Sequence, residues 1–153
     1  MATTTREMAV PAAAVWEVLR DGFSYGDWVV GTSTIRAVDE GFPAPGTRLH
    51  YRIGRGPVTF DDETEVTGLD EGRQLDLEAR AWPVGTAAVT IITEDEGAVT
   101  RVSIEERPVR GVAARLHNPG ADLLIKLRNV EVLRRLERLA RRRLTQQRVS
   151  DRA

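Results

Sequence analysis

The sequence contains no cysteine, one lysine and two histidines. Without thiols there is no disulfide scaffold, no thiolate zinc or iron–sulfur site and no cysteine nucleophile. His50 and His117 alone leave little from which to build a metal centre, and we expect neither a metal nor another cofactor. No stretch approaches 18 uninterrupted apolar residues, and Met1 to Val10 lacks a basic segment followed by an apolar core. These absences predict a cytoplasmic protein with no membrane span and no signal peptide. Aromatics are scarce too, with three Trp, three Phe and two Tyr in 153 residues.

What is present is ordinary globular composition, 41% hydrophobic and 29% charged. A chain of this length buries about two-thirds of the surface its unfolded form exposes, enough for one domain with its own core. The charge is uneven. Residues 1–119 carry 12 arginines against 19 carboxylates, whereas residues 120–153 carry 10 basic groups against 4 acidic ones. Such a split suits either a basic helix laid on an acidic body or a nucleic-acid-binding tail. Arg141, Arg142 and Arg143 stand where cations favour a helix carboxyl end, and no aromatic residue is interleaved with them to stack bases. The first reading is favoured, and no nucleic-acid partner is expected.

Along the chain, residues 3–10 read as a strand. Pro11 suits the first position of a helix with Val15, Val18 and Leu19 on its apolar face, and Gly22 closes it. Ser24 to Trp28 forms a second helical turn with Ser24 as candidate cap, and Val29 to Thr32 is an exit loop. The period then changes to alternation, predicting strands at about 33–39, 47–53, 58–67, 74–82, 86–94 and 98–107, joined by short turn-rich segments as an antiparallel meander. The last element is a long helix capped by Asn118, with Pro119 at its first position, running to about residue 145. Ile125, Asn129, Val132, Leu136 and Leu139 share one stripe, with Leu133 and Ala140 beside it. Asn129 inside that stripe needs hydrogen-bond partners. Leu123, Leu127 and Val130 form a second apolar patch on nearly the opposite side, which predicts a cover from the preceding loop or from a second subunit as a homodimer. One domain over 1–146 with a disordered tail over 147–153 is expected.

Strand, two short helices, a six-stranded meander and a long final helix are the order of the helix-grip fold. The sequence resembles the polyketide cyclase/dehydrase and lipid-transport superfamily, the START-like or SRPBCC group. The residues that carry the resemblance are Val10-Pro-Ala-Ala-Ala-Val-Trp16 with Val18-Leu19, the Tyr25-Gly-Asp-Trp28 turn, Pro45-Gly-Thr47 before a strand, and Arg128-Asn129 followed by Leu133 and Leu136. They span nearly the whole chain. The resemblance implies an α+β domain whose seven-stranded curved sheet wraps the last helix around a pocket for a small apolar or aromatic molecule.

Alternation selects an inward set independently of the family: Leu49, Tyr51 and Ile53; Val58, Phe60, Asp62, Thr64 and Val66; Val102, Ile104 and Glu106. Trp28, Tyr51, Phe60, Thr64, Trp82 and Asn129 become the candidate ligand-binding residues. Asp62 and Glu106, with Tyr51, are the candidate catalytic groups, since two carboxylates sharing a dry cavity repel and one becomes a proton donor near neutral pH. The alternative places Asp62 in solvent, within the acidic run 61–63, and pairs Glu106 with an arginine. Arg80, Arg107 and Arg128 can bind a carboxylate or keto oxygen if they reach the interior and are otherwise surface groups. Gly54-Arg-Gly56 joins two strands and reads as a turn; His50 faces outward, and His117 sits in the loop before the last helix. Ser24, Ser33 and Ser103 stand in no nucleophile-elbow pattern. Three functions remain open: a binding module for a hydrophobic molecule, a polyketide aromatase/cyclase-type enzyme, and a chaperone-partner-like interaction domain with a closed interior.

Overall fold

The computed structural model describes residues 1–81, 85–111 and 119–153. Its elements are β1 (Ala2–Met8), α1 (Ala12–Arg20), a 3-10 turn over Gly22–Ser24, α2 (Tyr25–Trp28), β2 (Thr32–Val38), β3 (Arg48–Arg55), β4 (Val58–Asp70), β5 (Gln74–Ala81), β6 (Gly85–Asp95), β7 (Thr100–Arg110) and a long helix, α3 (Pro119–Ser150). The seven strands form one antiparallel sheet in the order β1-β7-β6-β5-β4-β3-β2. This is the helix-grip arrangement expected of the sequence.

Each element forms for a local reason and buries one face. In α1, Val15, Trp16, Val18 and Leu19 recur at helical spacing and are buried; each is worth about 1.5–3 kcal/mol of transfer free energy relative to exposure. They meet Leu133, Leu136 and Ala140 of α3 and, from the sheet, Leu75, Ile91 and Val102. Trp16 satisfies its indole N–H on Thr93 Oγ1 at 2.8 Å, which lets the ring be buried whole. Glu137, also buried on α3, accepts from Arg6 at 2.5 Å and from the Ala9 N–H at 3.4 Å, tying the edge strand β1 to the helix.

Several local expectations need correction. Pro11 is the residue before α1 rather than its first turn, with extended backbone. Gly22 does not end α1 by adopting a left-handed conformation; it makes room. A Cβ there would stand 2.6 Å from Leu49 Cδ2 and 2.7 Å from Val38 Cγ1. Ser24 does not cap α2, because its hydroxyl donates backward, to the Asp21 carbonyl at 2.7 Å or that of Val18 at 3.1 Å. Helix α3 passes the expected end near 145 and continues to Ser150, through residues expected to belong to a loose tail. Arg141, Arg142 and Arg143 thus lie inside it; Arg143 reaches Asp21 at 2.5 Å, while Arg141 and Arg142 are exposed. The patch Leu123, Leu127 and Val130 is exposed rather than covered by any described residue. The expected cap Asn118, together with His117 and Trp82, lies outside the described residues.

The first half of β4 is the largest departure. Val58 and Phe60 are exposed, although their register partners in β3 place Phe60 opposite Ile53. Among the described residues, the pairing of β4 with β5 begins at Thr64 opposite Ala79, while 58–63 pair with β3. Toward the hairpin tip, alternation along β4 thus does not separate core from solvent as it does from Thr64 onward.

Candidate functional site

Between the sheet and α3 lies a cavity of about 320 Å³. Its walls come from alternating strand positions, as the period of two requires: Leu49 and Ile53 of β3, Leu77 of β5, Val89 and Ile91 of β6, with Val132 from α3 opposite. Most of the lining is apolar. The exposed residues on its margin, Gly31, Arg80 and Arg128, mark where it opens.

Trp28 forms one wall and is 2% exposed. The short Ser24–Trp28 turn locks it in place. Its indole N–H donates to Ser24 Oγ at 3.3 Å, and its ring lies 4.5 Å, centroid to centroid, from that of Tyr25. Tyr25 is itself held by Phe42 edge-on at 5.6 Å and donates its hydroxyl proton to the Leu19 carbonyl at 2.8 Å. Burial, with the charge of Asp21 adding to it, pushes the Tyr25 phenol far above its ordinary range.

Tyr51 lines the cavity as expected, and its hydroxyl is fully engaged. The oxygen stands 3.0 Å from the Arg80 carbonyl and 3.2 Å from that of Glu63, either of which accepts its one proton; it is also 3.0 Å from Thr64 Oγ1, which can donate in return. Burial pushes the phenol up to about 12, with the charges of Asp62 and Glu63 adding to the rise and the Thr64 hydrogen bond opposing it. A phenol that keeps its proton through neutral pH and spends it on a carbonyl is a poor acid or base. Tyr51 and Thr64 are better suited to shape the wall than to move protons.

The polar centre is formed by β7 and α3. Glu106 is buried on the inward face of β7, and its Oε2 accepts from Arg128 at 2.5 Å and from Asn129 Nδ2 at 3.2 Å. Asn129 Oδ1 stands 3.4 Å from the same guanidinium nitrogen. The buried amide on the helix stripe thus has its partners, and the carboxylate its countercharge.

The two candidate carboxylates do not form a pair. Glu106 is on β7 and Asp62 on β4, with β6 and β5 between them in the sheet. Asp62 Oδ1 accepts the Glu63 N–H at 2.9 Å, and the residue is not part of the cavity wall. The proton-donor argument from mutual repulsion therefore fails, and the pairing of Glu106 with an arginine is the one observed. Phe60 is likewise outside the described wall and is exposed, and Trp82 lies outside the described residues. Of the candidate arginines Arg80, Arg107 and Arg128, it is Arg128 that turns its guanidinium to a cavity group, Glu106. Arg80 pairs at 2.9 Å with Glu63, whose register neighbour His50 faces outward to Asp39 at 2.9 Å, and Arg107 is exposed. Tyr25, Val29 and Val30 line the cavity without having been singled out as ligand contacts. The signal for the Glu106–Arg128–Asn129 cluster was present: polar residues at inward positions on two facing elements need one another.

Comparison with known proteins places this architecture. No curated protein sequence matches the chain. Among solved structures, one from Geobacillus kaustophilus superposes with a TM-score of 0.68 at 16% identity, over 90% of this chain and 93% of that one. A protein from Nitrosomonas europaea gives 0.66 at 19% identity, over 92% and 94%. The Zhui aromatase/cyclase from Streptomyces sp. R1128 gives 0.59 at 22% identity, over 94% of each chain. At these identities the likeness is one of fold. The family model for polyketide cyclase/dehydrase and lipid transport matches residues 1–142, and the chain belongs to that family.

Proposed function

We propose that residues 1–146 act as one cytoplasmic domain that binds a small apolar or aromatic molecule, uncharged overall, between the sheet and α3. The observation that carries this reading is the cavity itself, largely apolar, with one charge-balanced polar cluster in its wall. An apolar cavity of about 150 Å³ takes a single benzene ring, so a space near 320 Å³ suits about two rings. Trp28 and Tyr51 offer flat wall surface, and Asn129 with Arg128 offers donors to one carbonyl or hydroxyl oxygen of the guest. Native mass spectrometry of the freshly purified protein, followed by titration with 2-naphthol read by tryptophan fluorescence, tests the proposal. A bound mass, or a saturable response that Trp28→Phe diminishes, is expected. An empty protein that takes up no aromatic guest overturns the reading and favours the interaction-domain alternative, which needs no open interior.

A second reading, cyclase- or dehydratase-type catalysis, rests on Glu106, a buried carboxylate facing the cavity with a guanidinium beside it. In such chemistry Glu106 would accept a proton from a carbon next to a carbonyl while Arg128 stabilises the enolate oxygen. Glu106→Gln separates the two readings: it should abolish turnover of a poly-keto substrate while leaving guest binding within a fewfold. Unchanged turnover removes Glu106 from catalysis.

A further inference from the structure

One end of the molecule gathers six of its exposed large apolar side chains. Val58 lies at the tip of the β3–β4 hairpin, Val109 near the end of β7, and Leu123, Leu124, Leu127 and Val130 on the first turns of α3; all six are exposed, Leu124 by 70%. Their common location follows from the topology. Arg55 pairs with Val58 at the hairpin tip, and Thr86 pairs with Arg110 at the same end of the sheet. Asn129 bonds to Glu106, and Glu137 to Arg6, which is paired with Val102, so α3 residues before 129 run in the direction in which β7 proceeds to 110. The cavity margin at Gly31, Arg80 and Arg128 is at this end as well.

Basic groups accompany these residues. Arg107, Arg110 and Lys126 are exposed and make no ion pair among the described residues. On α3, Leu123, Leu127, Val130, Arg134, Arg138 and Arg141 fall within about 80° of arc at 100° per residue, so the outward stripe is apolar near the cavity mouth and basic farther along. Leu124 and Arg142 extend it on one side, and within that extension Glu131 pairs with Arg134 and Arg135. Leu123 to Arg142 spans about 28 Å at 1.5 Å per residue. Asp122, the one carboxylate of the first three turns, lies on the opposite side of the wheel.

We propose that this end of the protein docks on an anionic lipid bilayer. Three observations select that occupant. The apolar residues stand on separate projections around an opening, which a fluid planar surface can meet together, whereas a peptide ligand needs a continuous groove. The charges exposed beside them, Arg107, Arg110 and Lys126, are basic and match anionic headgroups, while Asp122 lies on the opposite side of the helix. A second copy meeting this one through the same patch would bring two sets of Lys126, Arg107 and Arg110 into one interface, a concentration of like charge that disfavours an isologous contact. Leu123, Leu124 and Leu127 enter the headgroup–acyl boundary, Arg134, Arg138, Arg141 and Arg142 lie over phosphates, and the cavity mouth faces the bilayer. The contact is peripheral, and it holds whether or not the cavity carries a guest.

The test is co-sedimentation of the full chain with vesicles of phosphatidylcholine alone or mixed with phosphatidylglycerol. Binding to the mixed vesicles, little to phosphatidylcholine, and loss with added salt are expected. Leu124→Glu/Leu127→Glu should weaken binding tenfold or more. Arg141→Glu/Arg142→Glu should weaken it at least fivefold per charge, since each basic group near an anionic surface contributes about that factor. Both pairs are surface changes, and circular dichroism checks that each variant is folded. No sedimentation of the wild type, equal binding to both vesicle types, or full binding by both folded variants overturns the proposal. So does a concentration-dependent dimer of the wild type that the leucine variant abolishes, which would make a second copy the occupant.

Discussion

A carboxylate in an apolar wall persists only with partners, and Glu106 has two. Arg128→Met removes its countercharge and leaves an anion stranded in the cavity. Breaking a fully buried pair costs about 3–5 kcal/mol; because the Arg128 side chain is 42% exposed, water can screen part of that loss, and about 1–3 kcal/mol is expected. Adding Glu106→Gln to that variant should restore most of the loss, as urea denaturation of the single and double variants would show. A double variant no more stable than Arg128→Met would mean that packing, not charge, is what Arg128 contributes. The two tyrosines give a second residue-scale expectation. Both phenols have raised folded-state values, Tyr51 to about 12, against an unfolded value near 10. The neutral phenol is the form the fold favours, so this stability is fully present below pH about 10 and is lost as pH rises toward the folded value. For Tyr51 the loss amounts to roughly 3 kcal/mol between about pH 10 and pH 12. Since the chain has only these two tyrosines, the folded protein should show almost no tyrosinate absorbance at pH about 11. Early ionisation while the fold persists would contradict the engaged hydroxyls. Tyr51→Phe should flatten the alkaline limb of the stability curve in part, leaving the contribution of Tyr25.

Elements here are held by close approaches as much as by periodicity, and Gly22 is the clearest case. It lets the joint between α1 and α2 seat against β2 and β3, where Leu49 and Val38 leave no room for a methyl group. Gly22→Ala should cost about 1–3 kcal/mol through overpacking, whereas Gly26, where a Cβ would meet nothing closer than 3.6 Å, should accept alanine with little loss or a slight gain in helix propensity. Thermal unfolding of the two variants separates the effects; equal stabilities would mean that Leu49 and Val38 simply move aside. The same distinction explains what was legible in the sequence. Strand phase at Leu49, Tyr51 and Ile53 followed from alternation because β3 is paired on both sides and one of its faces meets the core. The phase of Val58, Phe60 and Asp62 looks identical in sequence but does not carry the same burial, because these residues stand toward the hairpin tip, where Val58 and Phe60 are exposed. Asn129 announced a need for partners from its place in the helix stripe. Which residues would meet it depended on how α3 crosses β7, and no local pattern encodes that. Gly22 read as a helix stop for a similar reason: a glycine that makes room and a glycine that turns the chain are the same letter.

At the scale of the whole molecule, the curved sheet and the helix enclose more space than their own side chains fill, and that surplus is the property a guest would use. Unfilled apolar volume costs contact energy in the empty protein, so a cavity kept open is a stability deficit that binding can offset. Ala79→Leu tests this from inside. Ala79 lies in the cavity wall on β5, opposite Thr64, and a leucine there can extend into the open space rather than against a packed neighbour. The variant should be as stable as the wild type or more so, by up to about 1–2 kcal/mol, and should lose affinity for two-ring guests while still admitting a single ring. In the wild type, a guest at a hundred times its dissociation constant should add about 2.7 kcal/mol to the unfolding free energy, a shift of about 5–11 °C for a chain of this size. In Ala79→Leu the same guest should produce almost no shift. Calorimetric melts of both proteins, with and without 2-naphthol, give the four values needed. If the variant loses stability and keeps the full guest-induced shift, the guest binds elsewhere and the cavity is not the site. If it gains stability and the shift disappears, the space between sheet and helix is both the weak point of the empty fold and the place where the guest is held.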